Sequence, residues 1–341
     1  MMENWPLYHP EVPEFLRRLA ETPPMARLRQ VGMNCGCEYT SFPRFAGWAP
    51  YSRFDHSLGV ALIVWHFTGD IRQSAAGLLH DVATPAFAHV VDFLHGDHLR
   101  QESTEGRTAE LIARSAELQA LLGEYGLTTA DVADCHRFSL AGNNSPQLSA
   151  DRLEYTLGDL RCYGFARADA IRAFYEDLTV WQDEAGRPEL AFRTPETARA
   201  FAEAALSVSR VYVADEDRFA MQALADLLRD AVRREVLTED GLYQTEPLVI
   251  QRLEADPVSA SQWRRFRRFR RVERRIDRPE GGIWYRVPAK LRYIDPLVAG
   301  RGRVSRLDAG ARRAQETFLA TDFACWIGVP EDAGAESGGG A

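Results

Sequence analysis

Apolar residues recur at helical spacing from Leu58 to Phe67, and the stripe resumes from Ser74 to His80, so both stretches read as helices packed on a core. From Glu105 to Leu122 charged and apolar faces alternate at the same spacing, with Thr104 placed as a cap. Asp151 to Leu160 predicts another helix, on which Asp151 and Tyr155, four apart, share a face. Val180–Gln182 and Glu189–Phe192 flank the turn-forming run 183–188, the pattern of a β-hairpin. Thr194-Pro195 opens a long helix with proline at its favoured first position, and a further helix spans about Arg218 to Arg234. Beyond Gly281 the β-branched and aromatic runs Ile283–Val287 and Leu291–Ile294 predict a small sheet. The Gly-, Ala- and acid-rich stretch 331–341 predicts disorder.

The expected fold is therefore mostly α: a helical core with a β-hairpin and a small C-terminal α+β part. Residues 1–200 are the expected metal-binding core, 201–330 a helical and α+β region packed on it, and 331–341 a tail. No linker-like run divides the chain cleanly near residue 200.

Composition narrows the class. At 341 residues and 45% hydrophobic content the chain can bury a large core. No apolar run approaches the roughly 20 residues needed to span a bilayer. The N-terminus lacks the regions of a signal peptide, and the five cysteines form no disulfide-like framework, so the expected compartment is the cytoplasm. Forty-one basic against 49 acidic residues give a net charge of −8, which disfavours nucleic acid as a general partner. Every basic residue except Lys290 is arginine, which singles out that lysine as a compact point charge. The segment Trp263–Arg275 holds eight arginines in 13 positions, with apolar residues at 263, 266, 269 and 272. It reads as a helix burying one stripe, its arginines solvated or paired to the chain's own carboxylates. A site for nucleotide or nucleic-acid phosphate is the sharper alternative.

The chemistry centres on the adjacent pair His80-Asp81. An imidazole and a carboxylate side by side can reach one divalent ion, and His56, 24 residues before His80, and Asp151, 70 after Asp81, complete a set of four. Two nitrogen and two oxygen donors suit Mn, Fe, Co, Ni or Zn and leave room for water and substrate. Mg²⁺ can accompany a nucleotide substrate.

The motifs Tyr51-Ser-Arg-Phe-Asp-His56-Ser-Leu-Gly-Val60 and Ala76-Gly-Leu-Leu-His80-Asp81 resemble those of the HD-domain metal-dependent phosphohydrolases. Arg27-Leu-Arg-Gln-Val-Gly32 leading to Phe42-Pro43, and Ser149-Ala-Asp151-Arg-Leu-Glu-Tyr155 with Asp159, extend the resemblance over about 24–159. They look most like the deoxynucleoside triphosphate triphosphohydrolase branch, which includes the SAM-and-HD-domain protein. The resemblance implies metal ligation by His56, His80, Asp81 and Asp151. It implies phosphate contacts from Arg53 and Arg152, a sugar contact from Tyr155 and a nucleoside contact from Gln30. It also places His89 and Asp92 at the active site. The chain departs from the branch at Thr84 and Gln101, where histidines are expected. Glutamine cannot shuttle a proton, so Glu102 or His98 becomes the candidate for that work.

The expected activity is metal-dependent hydrolysis of a phosphoester in a nucleotide or related phosphorylated small molecule. The metal would polarise a phosphoryl oxygen and acidify the attacking water, with Arg53, Arg152 and Lys290 neutralising charge on the phosphate. A homo-oligomer is implied by the resemblance. Two other readings are a non-catalytic nucleotide-sensing protein and a dinuclear iron oxygenase. The second needs further histidines, for which His89, His95, His98 and His136 are spaced poorly.

Overall fold

The computed structural model describes residues 5–99 and 105–331. The expected cap Thr104, the residues Gln101 and Glu102, and the tail after Glu331 lie outside the described residues. The chain is mostly α-helical, with two small sheets.

The apolar stripe at 58–67 belongs to a helix spanning Arg53–Thr68. Ser52 and Asp55 start it with a reciprocal capping box, each side chain taking the other's backbone N–H, which satisfies donors the first turn would leave orphaned. The Ile71–Leu79 helix packs against it, capped by Asp70 and ending at His80. Ser149 caps the Ala150–Cys162 helix. Thr194 caps the Pro195–Tyr212 helix, which is followed by the Asp215–Arg233 helix. The hairpin forms as expected: β1 (Leu178–Gln182) pairs antiparallel with β2 (Pro188–Phe192).

Three expectations are corrected. The helix expected over 105–122 is broken at Ser115, whose extended backbone (ψ 103°) ends the Thr108–Arg114 helix and whose hydroxyl caps Ala116–Glu124. Leu291–Ile294 is not a strand; its backbone is engaged by the turn at 145–146, through Ser145 Oγ to the Tyr293 carbonyl and the Asp295 N–H to the Pro146 carbonyl. Pro288 and Pro296 bracket the segment and cannot donate where a strand would continue past it. The Arg-rich segment is helical only to Arg267, within Pro257–Arg267. Trp263, Phe266 and Phe269 are buried as the stripe requires, but the chain then extends into β3 (Glu273–Arg275).

β3 and β4 (Ile283–Tyr285) both pair antiparallel with the final strand, while β2 continues into β5 (Leu297–Val298) and β6 (Gly302–Arg303). The final strand, β7, is Trp326–Val329.

Two hydrophobic cores result. One gathers Leu58, Leu62, Leu79, Leu153, Leu157 and Phe201, with Ile294 and Val304 from late in the chain. The other gathers Phe219, Trp263 and Phe266 with Phe42 and Phe87 from early in the chain. Residue 200 lies inside the Pro195–Tyr212 helix, and each core draws on both sides of it. His66 is exposed, with its ring 5.6 Å from that of Tyr175.

The buried carboxylate of Glu246 ties the late core to two early loops. It accepts the Gly32 N–H at 2.9 Å, the Phe87 N–H at 3.3 Å and the Tyr39 hydroxyl at 2.8 Å. Glu246→Ala strands these donors and should lower stability by on the order of 2–4 kcal/mol, whereas Glu246→Gln, which keeps an acceptor, should lose far less. Chemical denaturation of both variants checks this; equal losses would show that charge, not hydrogen-bond acceptance, does the holding.

Candidate metal centre

Three helices bring the expected ligands together: His56 from the first turn of Arg53–Thr68, His80 at the end of Ile71–Leu79, and Asp151 from the first turn of Ala150–Cys162. His56 Nε2 lies 3.2 Å from His80 Nε2 and 3.2 Å from Asp151 Oδ1. His80 Nε2 is 3.7 Å from the same Asp151 oxygen. Among the described residues this is the one group of three or more His, Cys, Asp or Glu donors near enough to share an ion. Asp81 Oδ2 stands slightly apart, 3.7 Å from His80 Nε2 and 3.9 Å from His56 Nε2, because Arg53 holds it at 2.9 Å.

The far side of each ring fixes its proton. His56 Nδ1 is 2.6 Å from the Glu154 carboxylate, and His80 Nδ1 is 2.7 Å from the Gly77 carbonyl. Both partners are acceptors, so each Nδ1 carries a hydrogen, and each Nε2 is the atom that offers its lone pair to an ion once any proton there is displaced. Two lone pairs and two carboxylates facing one another form a donor set that calls for a cation. The electrostatics say the same. Against the cost of burial, hydrogen bonds to Asp151 and Glu154 push His56 up to about 10. Asp151, also against burial, is held well below the carboxylate range by His56 and His80. Asp81 is likewise held low by His80, Arg53 and His56. The residues fit a divalent transition metal, with Glu154 supporting His56 from behind.

Glu154 is the site residue that sequence reasoning missed. It lies one helical turn from Asp151, is 1% exposed, and also accepts the Tyr8 and Tyr51 hydroxyls. Gly59 gives it room, since a methyl there would come within 2.6 Å of its Cγ. The sequence signal was its spacing from Asp151 together with that glycine.

The centre opens on a cavity of about 610 Å³. Arg53, Arg152, Tyr155, His89, His98 and Lys290 from the expected set line it, joined by Asn143, Tyr163, Tyr212 and Arg292. Arg152 donates to the Asn143 carbonyl at 2.7 Å, which leaves its buried Nε without a partner among the described residues. Arg53 Nε, Asn143 Oδ1, Asp159 Oδ1 and His98 Nε2 are likewise buried and unpartnered there. Asp92 does not line the cavity: it is buried behind His89, with Oδ2 2.9 Å from Nδ1, and orients that ring. Burial holds His89 below its ordinary pKa, against the pull of Asp92, and Arg292 and Arg53 add to the lowering.

Gln30 is placed elsewhere. It ends a short 3-10 turn, Leu28–Gln30, and lines a second cavity instead. Glu102 lies outside the described residues. Lys290 stands on the wall contributed by the late part of the chain, beside Ala289 and Arg292.

The chain is similar to the uncharacterised Bacillus subtilis protein YdhJ, 31% identical over 210 residues. That match covers 60% of this chain and 61% of YdhJ, so the chain spans about three-fifths of that relative's length. It is also similar to the metal-dependent phosphohydrolase cns2 of Cordyceps militaris, 28% identical over 279 residues, covering 76% of this chain and 74% of that protein. No protein-family model matches the chain. At these identities the likeness, with the His/Asp metal group, supports the HD-domain superfamily and no finer branch. No helix among the described residues is long and apolar enough to cross a membrane.

His80→Ala should remove most bound metal, since a coordinating nitrogen is lost. Glu154→Gln should keep the fold but weaken metal affinity by about 10–100-fold, as expected for loss of a carboxylate behind a ligating imidazole. Metal titration followed by elemental analysis tests both; full metal occupancy in His80→Ala would sink the assignment.

Proposed function

We propose that the protein is a metal-dependent phosphohydrolase that cleaves a phosphoester of a nucleotide or a closely related phosphorylated small molecule. The observation that carries this reading is a two-histidine, two-carboxylate centre at the base of a cavity walled by arginines, a lysine and aromatic rings. A volume of about 610 Å³ suits a single small ligand. The likeness to the Cordyceps metal-dependent phosphohydrolase agrees with the reaction class.

When bound, the metal supplies Lewis acidity toward a phosphoryl oxygen and acidifies the attacking water. Arg152, with its unpartnered Nε, and Arg53 offer guanidinium donors to the remaining phosphate oxygens, and Lys290 and Arg292 add charge on the opposite wall. Arg53 also holds Asp81, so it serves both the carboxylate and the substrate. Tyr155, Tyr163 and Tyr212 line the cavity where the rest of the ligand would lie. His89, oriented by Asp92, is one candidate for proton transfer at the leaving oxygen, acting only after it takes up a proton that its burial disfavours, and His98 and Glu102 are the other candidates.

The motif likeness to the triphosphohydrolase branch supports a nucleotide. Thr84 and Gln101 argue against its one-step release of tripolyphosphate, because two of its histidines are missing. We therefore expect inorganic phosphate as the product. Metal-loaded protein incubated with nucleoside mono-, di- and triphosphates, with phosphate, tripolyphosphate and nucleoside quantified, decides the matter. Tripolyphosphate with free nucleoside would overturn the expected product, and metal-loaded protein that binds nucleotide without turnover would favour a sensing role.

Arg152→Ala should retain metal and lose turnover by roughly 10² or more, the scale of removing a charge clamp from the transition state. Unchanged kinetics in that variant would remove Arg152 from the substrate site.

A further inference from the structure

A second cavity, of about 400 Å³, is lined by the bridged pair Gly32 and Ser52 and shares Asn34 and Trp48 with the metal cavity. Its floor holds three carboxylates, Asp55, Glu38 and Glu246, and its walls hold the rings of Tyr39, Trp48 and Tyr51. Arg29 and Gln30 are exposed at its rim with Pro50. Arg29 stacks its guanidinium on Phe54 at 3.4 Å and makes no ion pair with these carboxylates among the described residues. Asp55 is only 5% exposed, yet its Oδ1 has no hydrogen-bond partner among the described residues, and Glu38 Oε2 is also buried without one. Gly32 keeps the space open: a methyl there would lie 2.5 Å from Glu38 Oε1 and 3.5 Å from Glu246 Oε1.

From this we infer that the second cavity is a binding site for a small organic cation, one carrying a primary ammonium or guanidinium group on a short apolar stem. Buried acceptor oxygens with no donor are costly, so the missing partner must bring N–H groups. Three acidic side chains against one guanidinium favour a cation over an anion, and aromatic faces reinforce that preference. Burial and Glu246 push Glu38 up to about 8, so without a cation it keeps its proton near neutral pH, and an arriving ammonium or guanidinium would ionise it. A bare metal ion fits less well, because these carboxylates do not converge as the His56 group does among the described residues. Ala49, Pro50 and Pro247 offer apolar surface for the stem.

The test is calorimetric titration of the full, metal-loaded chain with butane-1,4-diamine and with agmatine, using butane-1,4-diol as a neutral control of equal length. The expected result is one amine per chain, bound at least tenfold more weakly by Glu38→Gln and undiminished by inorganic phosphate, which would occupy the metal cavity. Asp55→Asn, with its metal content confirmed, should weaken the amine comparably. The inference is overturned if neither amine binds, if the diol binds as well as the diamine, or if Glu38→Gln leaves the affinity unchanged. Displacement by phosphate would equally overturn it, by locating the amine at the metal cavity.

Discussion

A carboxylate buried without partners would destabilise a protein by several kcal/mol, and Glu154, 1% exposed, escapes that cost only through donors from three separate parts of the chain. Tyr8 reaches it from the N-terminal segment, Tyr51 from the loop before the Arg53–Thr68 helix, and His56 from that helix's first turn. The acceptor therefore becomes satisfied only as these segments assemble around the Ala150–Cys162 helix. The same contact fixes the proton on His56 Nδ1 and so aims its Nε2 at the metal position. Packing obeys the contact too: Gly59 leaves room for the Glu154 side chain, and Gly158 lies where any side chain would collide with Tyr51. Folding and ligand orientation are thus one event around one carboxylate.

Beyond Glu154, the centre is acceptor-rich by construction. Two imidazole lone pairs meet at 3.2 Å beside two carboxylates, with Arg53 the one guanidinium within salt-bridge distance of Asp81 among the described residues. In the absence of a cation this arrangement draws a proton, which is why His56 is pushed up to about 10 by Asp151 and Glu154 in spite of its burial. A divalent ion satisfies the same field with the geometry already in place. The pre-organisation is bought by Gly77 and Glu154, which hold the rings from behind whether or not the ion is present.

The grouping of His56, His80 and Asp151 was legible in the sequence because coordination demands particular residue types, and these residues stand within matching motifs. Glu154 sat in one of those motifs unremarked, since nothing in a sequence separates a buried carboxylate from an exposed one on the same helix. Gln30 was misplaced for a related reason. Its distance along the chain from Arg53 says nothing about which of two neighbouring cavities it lines. Apolar periodicity found the long helices but not the break at Ser115, where one capping hydroxyl outweighed a continuous pattern. At Leu291–Ile294 strand-like composition yielded to hydrogen bonds with a distant turn, a tertiary choice invisible to local propensity.

The late part of the chain belongs to the site as much as the motif-bearing part does. Phe87 and Ala88, immediately before His89, have φ of 62° and 48°, a conformation costing about 1–3 kcal/mol at each non-glycine residue. What offsets that strain comes from beyond residue 240: the Leu242 carbonyl takes the Ala86 N–H, and Glu246 takes the Phe87 N–H. Phe87 itself is buried in the core that contains Phe219, Trp263 and Phe266. Without those contacts the loop would relax, and His89 would lose the orientation that brings its ring into the cavity against Asp92. Lys290 and Arg292, from the same late region, close the cavity's other wall. The candidate metal ligands come from the first half of the chain, but the cavity they open on requires both halves.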